Sequence, residues 1–575
     1  MAGGLLNLIA IGNQNIILTG NPTKSFFKTK YVKYTNFGLQ KFRMDQHGTK
    51  NALSDIETKF TFKIKRHADL LMDTYLVVTL PNIWSPVLKY YRDRVGEPNT
   101  FEYRPYEFQW IKNIGTQLIK EVTFTIGGYL IQKFSGSYIQ NMVDRDYDAN
   151  KKQLFNIMTG NIPELNDPAN YSNRNNNYPN AFKIDDTNTN AIEPSIHSHQ
   201  LFIPINSWFS AASTMALPLT CLQYAELEIN FIFRPIHELY TIKDVLYDTS
   251  INNITSYEDI PRIRAEQSRN EYQFHRFIQE PPIRYISSGY VYENRINRLD
   301  PPEDAHLIVT QCFLDEKERS LFAANTQSYL IKLIYEQPHM KINKTGKIVV
   351  ESNGLVSNWM WYMQRNDVYK RNEWSNYTNW PYENQIPNNL AKLTSDTTSV
   401  SDIYYPLADL YNDSDISKNI YITGYVPTDN EQKNNRLIMK EFAILCDGKY
   451  REDSFPAGVY NKIEKYNSNL GSSKEGLYCY NFSLINDPQK IQPSGAFNTN
   501  KFRTIEFEYN NYTNPPIDLS NVDFRTICDP ITNEIIATSK EPNSIYSYNY
   551  DLHICEERYN VLVFQSGTAQ LLYSR

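Results

Sequence analysis

The sequence predicts an all-β protein built from two consecutive antiparallel sandwiches. Three observations point there. Short segments of apolar–polar alternation recur along the chain, and helical periodicity is confined to two short stretches. Tyr, at 43 residues, and Asn are abundant, the first favouring strands and the second turns. A chain of 575 residues exceeds what one compact core usually holds, so two or more domains are expected.

Residues 1–24 read as an N-terminal arm, apolar and uncharged from Leu5 to Ile11. Such a segment suits burial against another protein better than life as a solvated tail. The alternative is a strand docked in its own domain. Lys28 to Lys33 alternates with Thr, Tyr and Val and reads as one face of a strand. Residues 59–65 (KFTFKIK) alternate without a break, and 75–80 (YLVVTL) form an apolar run stopped by Pro81. Residues 122–126 and 129–131 flank Gly127-Gly128 and predict a hairpin. Residues 201–205 and 225–233 follow. The rhythm restarts at 306–309 and continues through 329–334, 346–350, 359–362, 440–445, 478–482, 504–508 and 560–564. The two helical stretches are 138–146 and 316–324. Each half therefore has strands enough for an eight-stranded sandwich, and a jelly roll is one way for such a sheet pair to limit its exposed edges. The Pro-rich, charged stretch near 235–302 breaks the rhythm and reads as an enlarged inter-domain connection. Polar stretches at 166–190 and 371–419 read as long surface loops.

Composition narrows the function. The net charge of −6 and the lack of a long basic run argue against a nucleic-acid-coating role. The six cysteines, Cys221, Cys312, Cys446, Cys479, Cys528 and Cys555, match no zinc spacing and are expected to be reduced, mostly buried apolar residues. No run of some 18 apolar residues predicts a membrane helix. The first residues lack the basic start of a secretory signal, and Ala2 excludes N-myristoylation. Catalytic patterns are missing. Gly346-Lys347 is followed by Ile in strand-like sequence, not by the rest of a phosphate loop. His197 and His199 share a strand face but have no third ligand nearby, and Asp413 and Asp415 begin a calcium-like loop without its Gly and Glu. Both are expected to be plain polar loops. Trp359 to Tyr362 could be a sugar-stacking platform, but filling the core of the second sandwich is the stronger expectation. Of seven N-x-[ST] sequons, Asn170, Asn376 and Asn412 fall in expected surface loops, whereas Asn481 falls in a strand; Asn253, Asn343 and Asn511 complete the set.

Five stretches, in order, resemble the major capsid proteins of the nucleocytoplasmic large DNA viruses, of the phycodnavirus and mimivirus kind. LTGNP, with Gly20, Asn21 and Pro22, and YTNF at 34–37 resemble the family's opening. LPL around Pro218, with LQY at 222–224, resembles the last strands of its first jelly roll. FLD, ending at Asp315, with Glu318-Arg319 and Phe322-Ala323, resembles the start of its second. QPSG, with Pro493, Ser494 and Gly495, and then Asn498, resembles a late loop; YNVL around Asn560, with Ser566-Gly567, resembles the closing strand.

The resemblance implies a double jelly roll, two consecutive eight-stranded antiparallel sandwiches with long surface loops and few short helices. The implied boundaries are an arm at 1–24, a first roll at 25–235, a connection at 236–303 and a second roll at 304–575. It implies a structural role without enzyme activity or cofactor: pseudo-hexagonal homotrimeric capsomers that tile an icosahedral shell. The long loops would form outer towers. The arm would lie inside, near neighbouring capsomers, minor capsid and penton proteins and an internal membrane. The protein would reside in the virion's outer shell and be made and assembled in the host cytoplasm, without binding nucleic acid directly. The rivals are a jelly-roll glycan- or receptor-binding virion protein, which needs an exposed Trp359–Tyr362 cluster, and a cupin-like enzyme, which needs a metal triad.

Overall fold

Alternating strands bury one face each, and in the computed structural model they do so in two sheet pairs. The structure describes residues 2–46, 52–94, 97–179, 193–243, 272–280, 305–380, 436–487, 492–512 and 548–573, together with a few short pieces between them.

In the first pair, one sheet joins Phe37–Asp45, Ala305–Leu314 and Leu70–Leu80 in that order, with His199–Pro204 and Leu217–Pro218 along the far side of Leu70–Leu80. The facing sheet runs Thr58–Lys63, Leu227–Phe233, Ile119–Ile126, Tyr129–Phe134. Counted along the chain, with His199–Pro204 and Leu217–Pro218 sharing one position, the first sheet places strands first, eighth, third, sixth, and the second places second, seventh, fourth, fifth. That order defines a jelly roll. The second pair repeats it. Gln327–Ile342, Tyr550–Gln565, Leu355–Arg365 and Leu477–Asn481 make one sheet, and Thr345–Val349, Ile505–Asn511, Met439–Cys446 and Lys449–Pro456 the other. The double jelly roll expected from the sequence is present.

The hairpin at Gly127-Gly128 forms as expected. Both glycines have positive φ, 57° and 84°, which a two-residue turn of this hand requires, and Ile126 pairs with Tyr129. Both expected helices form, as Gly136–Asp146 and Glu316–Ala324.

Three expectations are corrected. Ala305–Leu314, placed at the start of the second roll, is the closing strand of the first; it lies between Phe37–Asp45 and Leu70–Leu80 with Leu307 and Val309 in the first core. The boundary therefore moves past 304 to the helix Glu316–Ala324. The 236–303 stretch accordingly precedes the first roll's closing strand in the chain and does not separate the two rolls. Of its described parts, Tyr240–Lys243 pairs with Glu107–Trp110, and Tyr272, Phe274 and Phe277 are buried in the first core. Its Pro and charge content therefore did not mark a domain border. Lys28 to Lys33 is not a strand, since among the described residues nothing pairs with it, and the first strand starts only at Phe37.

Candidate functional site: the inter-roll junction and the uncovered surfaces

The Leu355–Arg365 strand is buried along nearly its whole length, and its two faces serve different cores. Trp359, Trp361 and Met363 point into the second roll. The Trp361 ring stacks on Phe442 at 4.3 Å, and the Trp359 indole N–H donates to Glu556 Oε2 at 2.7 Å. Met360 and Tyr362 join an apolar cluster that runs through the first roll and takes in Ile334, Cys555 and Phe564. The Trp359–Tyr362 cluster thus fills cores on both sides and offers no exposed platform to a sugar.

The junction centres on the helix Gly136–Asp146, which lies on the second roll's larger sheet. Ser135 caps the helix by accepting from the Tyr138 amide, and its own amide and hydroxyl donate to Glu336 at 2.7 and 2.6 Å. The Tyr138 hydroxyl donates to Glu557 Oε1 at 2.9 Å. Arg145, 1% exposed, donates to both oxygens of Asp146, to Asn358 Oδ1 at 2.8 Å and to Glu557 Oε1 at 2.6 Å. Asn358 returns a bond to Glu557 Oε2 at 2.7 Å, and Asn469 donates to Asp146. Burial by itself would push the Glu557 carboxyl up, but Arg145 and Lys332 outweigh it and hold the group at about 2. Burial pushes the Asp146 carboxyl the other way, above its ordinary value. Arg145, Asp146, Asn358 and Glu557 at its centre are buried, and each of the three charges has an opposite partner, as such a site demands. Close backbone approach completes it: the Gly471 amide donates to the Arg145 carbonyl at 2.9 Å, and a Cβ on Gly471 would stand 2.3 Å from that oxygen.

A second strap comes from residues 371–380, expected as surface loop. The Asn372 amide group donates to the carbonyls of His237 and Tyr240, Trp374 donates to the Glu238 carbonyl, and Tyr377 donates to Asn141 Oδ1. Polar side chains here satisfy buried backbone groups, so polarity did not mean exposure. Asn376 is accordingly 2% exposed, bonded to Thr378 and the Trp380 carbonyl, and the expectation of an exposed glycan acceptor there is overturned. Asn170 is exposed and bonded to Asp167. Asn412 lies outside the described residues, as do Asp413 and Asp415.

The quoted signature residues do structural work. Gly20 ends the short helix Ile16–Thr19, and Asn21 follows with φ 48° before Pro22. Pro218 is buried opposite Leu70, and Asp315 begins the helix Glu316–Ala324. The Ser494 hydroxyl bonds the Ile485 amide and carbonyl. Gly495, two residues after Pro493, has φ 146°, and a Cβ there would stand 2.5 Å from the Phe482 carbonyl oxygen. Asn560 ties the closing strand to Tyr573 through that residue's amide and carbonyl.

Other expected sites stay apart. Among the described residues no cluster of three or more His, Cys, Asp or Glu could hold a metal, and His197 is exposed. Cys312, Cys446, Cys479 and Cys555 are buried, Cys221 is half-buried, and all five are free thiols; the Cys528 side chain lies outside the description. No described helix is long and apolar enough to cross a membrane.

The arm is an uncovered apolar segment. Residues 2–36 are exposed throughout, and Leu8, Ile9, Ile17, Leu18, Phe26 and Phe27 are each more than half exposed. The reading of a strand docked on its own roll does not hold. Isolated apolar side chains on a surface mean little, but a contiguous run of this kind marks a contact site.

Two tandem jelly rolls welded through one core define a double jelly-roll protein. Residues 25–271 match the family described as the major capsid protein N-terminus, and residues 318–570 match the large eukaryotic DNA virus major capsid protein family. A probable capsid protein 4 of Acanthamoeba polyphaga mimivirus is 31% identical over 64% of this chain and 73% of its own length. The major capsid protein of Paramecium bursaria Chlorella virus 1 is 23% identical over the whole of both chains. Capsid protein 1 of the same mimivirus is matched over 43% of its length, so the chain spans under half of that relative. Among solved structures, the PBCV-1 VP54 crystal structure, as fitted into a reconstruction of the virophage Sputnik, superposes with a TM-score of 0.57 at 19% identity, covering 96% of this chain and all of VP54. The Faustovirus major capsid protein superposes with 0.58 at 11% identity, covering 96% of this chain and 94% of its own. The chain belongs to the major capsid protein family of large eukaryotic DNA viruses.

Proposed function

We propose that this chain builds the outer shell of a large DNA virus as a homotrimeric, pseudo-hexagonal capsomer in an icosahedral lattice. The observation that carries the reading is the repeat of one jelly-roll order within a chain, the two copies being welded through a buried network. Three such chains in a closed ring present six similar outer walls, which is what a hexagonal lattice needs. Obligate interfaces of this kind bury on the order of 2,000 Å² or more. The protein acts by packing and has no enzymatic role. The exposed arm supports docking on a neighbouring protein on the shell's inner side, among minor capsid and penton proteins and near an internal membrane. Assembly takes place in the host cytoplasm, and of Asn170, Asn376 and Asn412 it is Asn170 that is described, exposed and available to a glycan. The test is the solution mass of the full-length chain by light scattering across a dilution series. A trimer that persists on dilution supports the reading, and a monomer at every concentration overturns it.

A further inference from the structure

Lys465 is buried in the second roll, and among the described residues no carboxylate forms an ion pair with it. It lies on the helical segment 457–468, which follows the exposed strand Lys449–Pro456. That segment widens into a π-helix over Val459–Ile463, a form often found at functional positions. Asn461, 7% exposed, and Lys465, 2% exposed, are four residues apart and so share one face of the segment. Lys465 Nζ donates to the Leu477 carbonyl at 2.8 Å and to that of Lys474 at 3.4 Å. Asn461 Nδ2 donates to the same two oxygens, each at 2.7 Å. The two nitrogens thus stand side by side on one pair of acceptors. The Ser473 hydroxyl lies 2.7 Å from Asn461 Oδ1 and 2.8 Å from the Asn461 carbonyl oxygen. An ammonium buried with only carbonyls around it is costly, and burial pulls the Lys465 amine down to about 8.

We propose that Lys465 and Asn461 join through an isopeptide bond, so that the second roll carries a covalent staple within its own chain. The neutral amine of Lys465 attacks Cγ of Asn461, and the bond from Cγ to Nδ2 breaks. One proton passes from the attacking nitrogen to the departing one, which leaves as ammonia. No electrons are exchanged, and no co-reactant is consumed. The Ser473 hydroxyl donates to Oδ1 while that oxygen carries the negative charge of the tetrahedral intermediate. The product suits the same space. Its single amide N–H still donates to the Leu477 carbonyl, Oδ1 still accepts from Ser473, and the Lys474 carbonyl keeps the Leu477 amide as a donor. The buried charge is gone. Through Ser473 and Leu477 the staple steadies the segment whose Gly471 amide reaches the Arg145 carbonyl and whose Asn469 reaches Asp146.

This goes beyond the capsomer reading and does not depend on it, since the test reads the full-length chain in any assembly state. The purified protein, held at about pH 9 where the amine is neutral, should have a denatured intact mass one ammonia below the sequence value. Trypsin should then release residues 452–462 and 463–474 as one joined pair, cut after Lys462 but uncut at Lys465. Lys465→Met, which keeps the length of the side chain without the amine, should show its full sequence mass. Ser473→Ala should slow the ammonia loss at least ~10-fold. A parent chain that stays at the sequence mass overturns the proposal, and so does an ammonia loss with the two peptides unlinked. Loss in Ser473→Ala as fast as in the parent overturns the role of that hydroxyl.

Discussion

Arg145→Met tests whether the buried network holds the rolls together. The substitution keeps most of the side chain's volume but leaves Asp146 and Glu557, 3% exposed each, without their cation. Removing one partner of a buried pair costs about 3–5 kcal/mol. Burial pushes the Glu557 carboxyl up and Arg145 is the foremost group holding it down, so the loss of Arg145 leaves that charge poorly compensated. Urea denaturation followed by tryptophan fluorescence should show a lower midpoint, and the transition should split as the rolls open separately. The triple variant Arg145→Met, Asp146→Asn, Glu557→Gln removes the charges together, leaves no buried ion, and should lose less than Arg145→Met alone. A loss below ~1 kcal/mol for the single variant, or a triple variant that loses the most, would refute the reasoning.

Acid should act on the junction through His553. Its ring stacks on Tyr362 at 4.8 Å, and burial holds its imidazole at about 4, below its unfolded value, so stability is whole above about 6.5 and drains as pH falls toward 4. Between pH 6.5 and 5 this amounts to up to about 2 kcal/mol; His553→Phe should flatten the dependence of the urea midpoint over that range. Glu557, depressed to about 2, is fully effective above about 4.5 and fails only as pH falls through 2, so an unchanged pH profile in the His553 variant would leave acid sensitivity without a source at the junction. Gly136→Ala should abolish soluble expression, because its Cβ would stand 1.9 Å from the Thr116 carbonyl oxygen and 2.4 Å from that of Ile119. Gly458→Ala, at the corresponding place after the second roll's exposed strand, meets nothing within 4 Å and should leave the melting temperature unchanged. Trp361→Ala should cost ~3–5 kcal/mol in the second roll, read from the same urea titration, since it empties the centre of an aromatic core.

The strands of the core were legible where one face is wet. The 59–65 and 225–233 segments alternate because one side chain in two meets the core, and the hairpin at Gly127-Gly128 announced itself through its turn residues. Phe37–Asp45 and Lys449–Pro456 did not, because edge strands with little burial carry little pattern. The fold class, the two-domain scale, the apolar arm and the family resemblance all lie in local composition and order, which a sequence displays directly. Tertiary structure alone assigned Ala305–Leu314 to the first roll, because hydrogen bonding between strands more than 200 residues apart leaves no local mark. It alone turned the polar 371–380 stretch and Arg145 inward, since a charged or amide side chain is stable inside only when its partners arrive from elsewhere in the chain, here Glu557, Asn358 and the Tyr240 carbonyl.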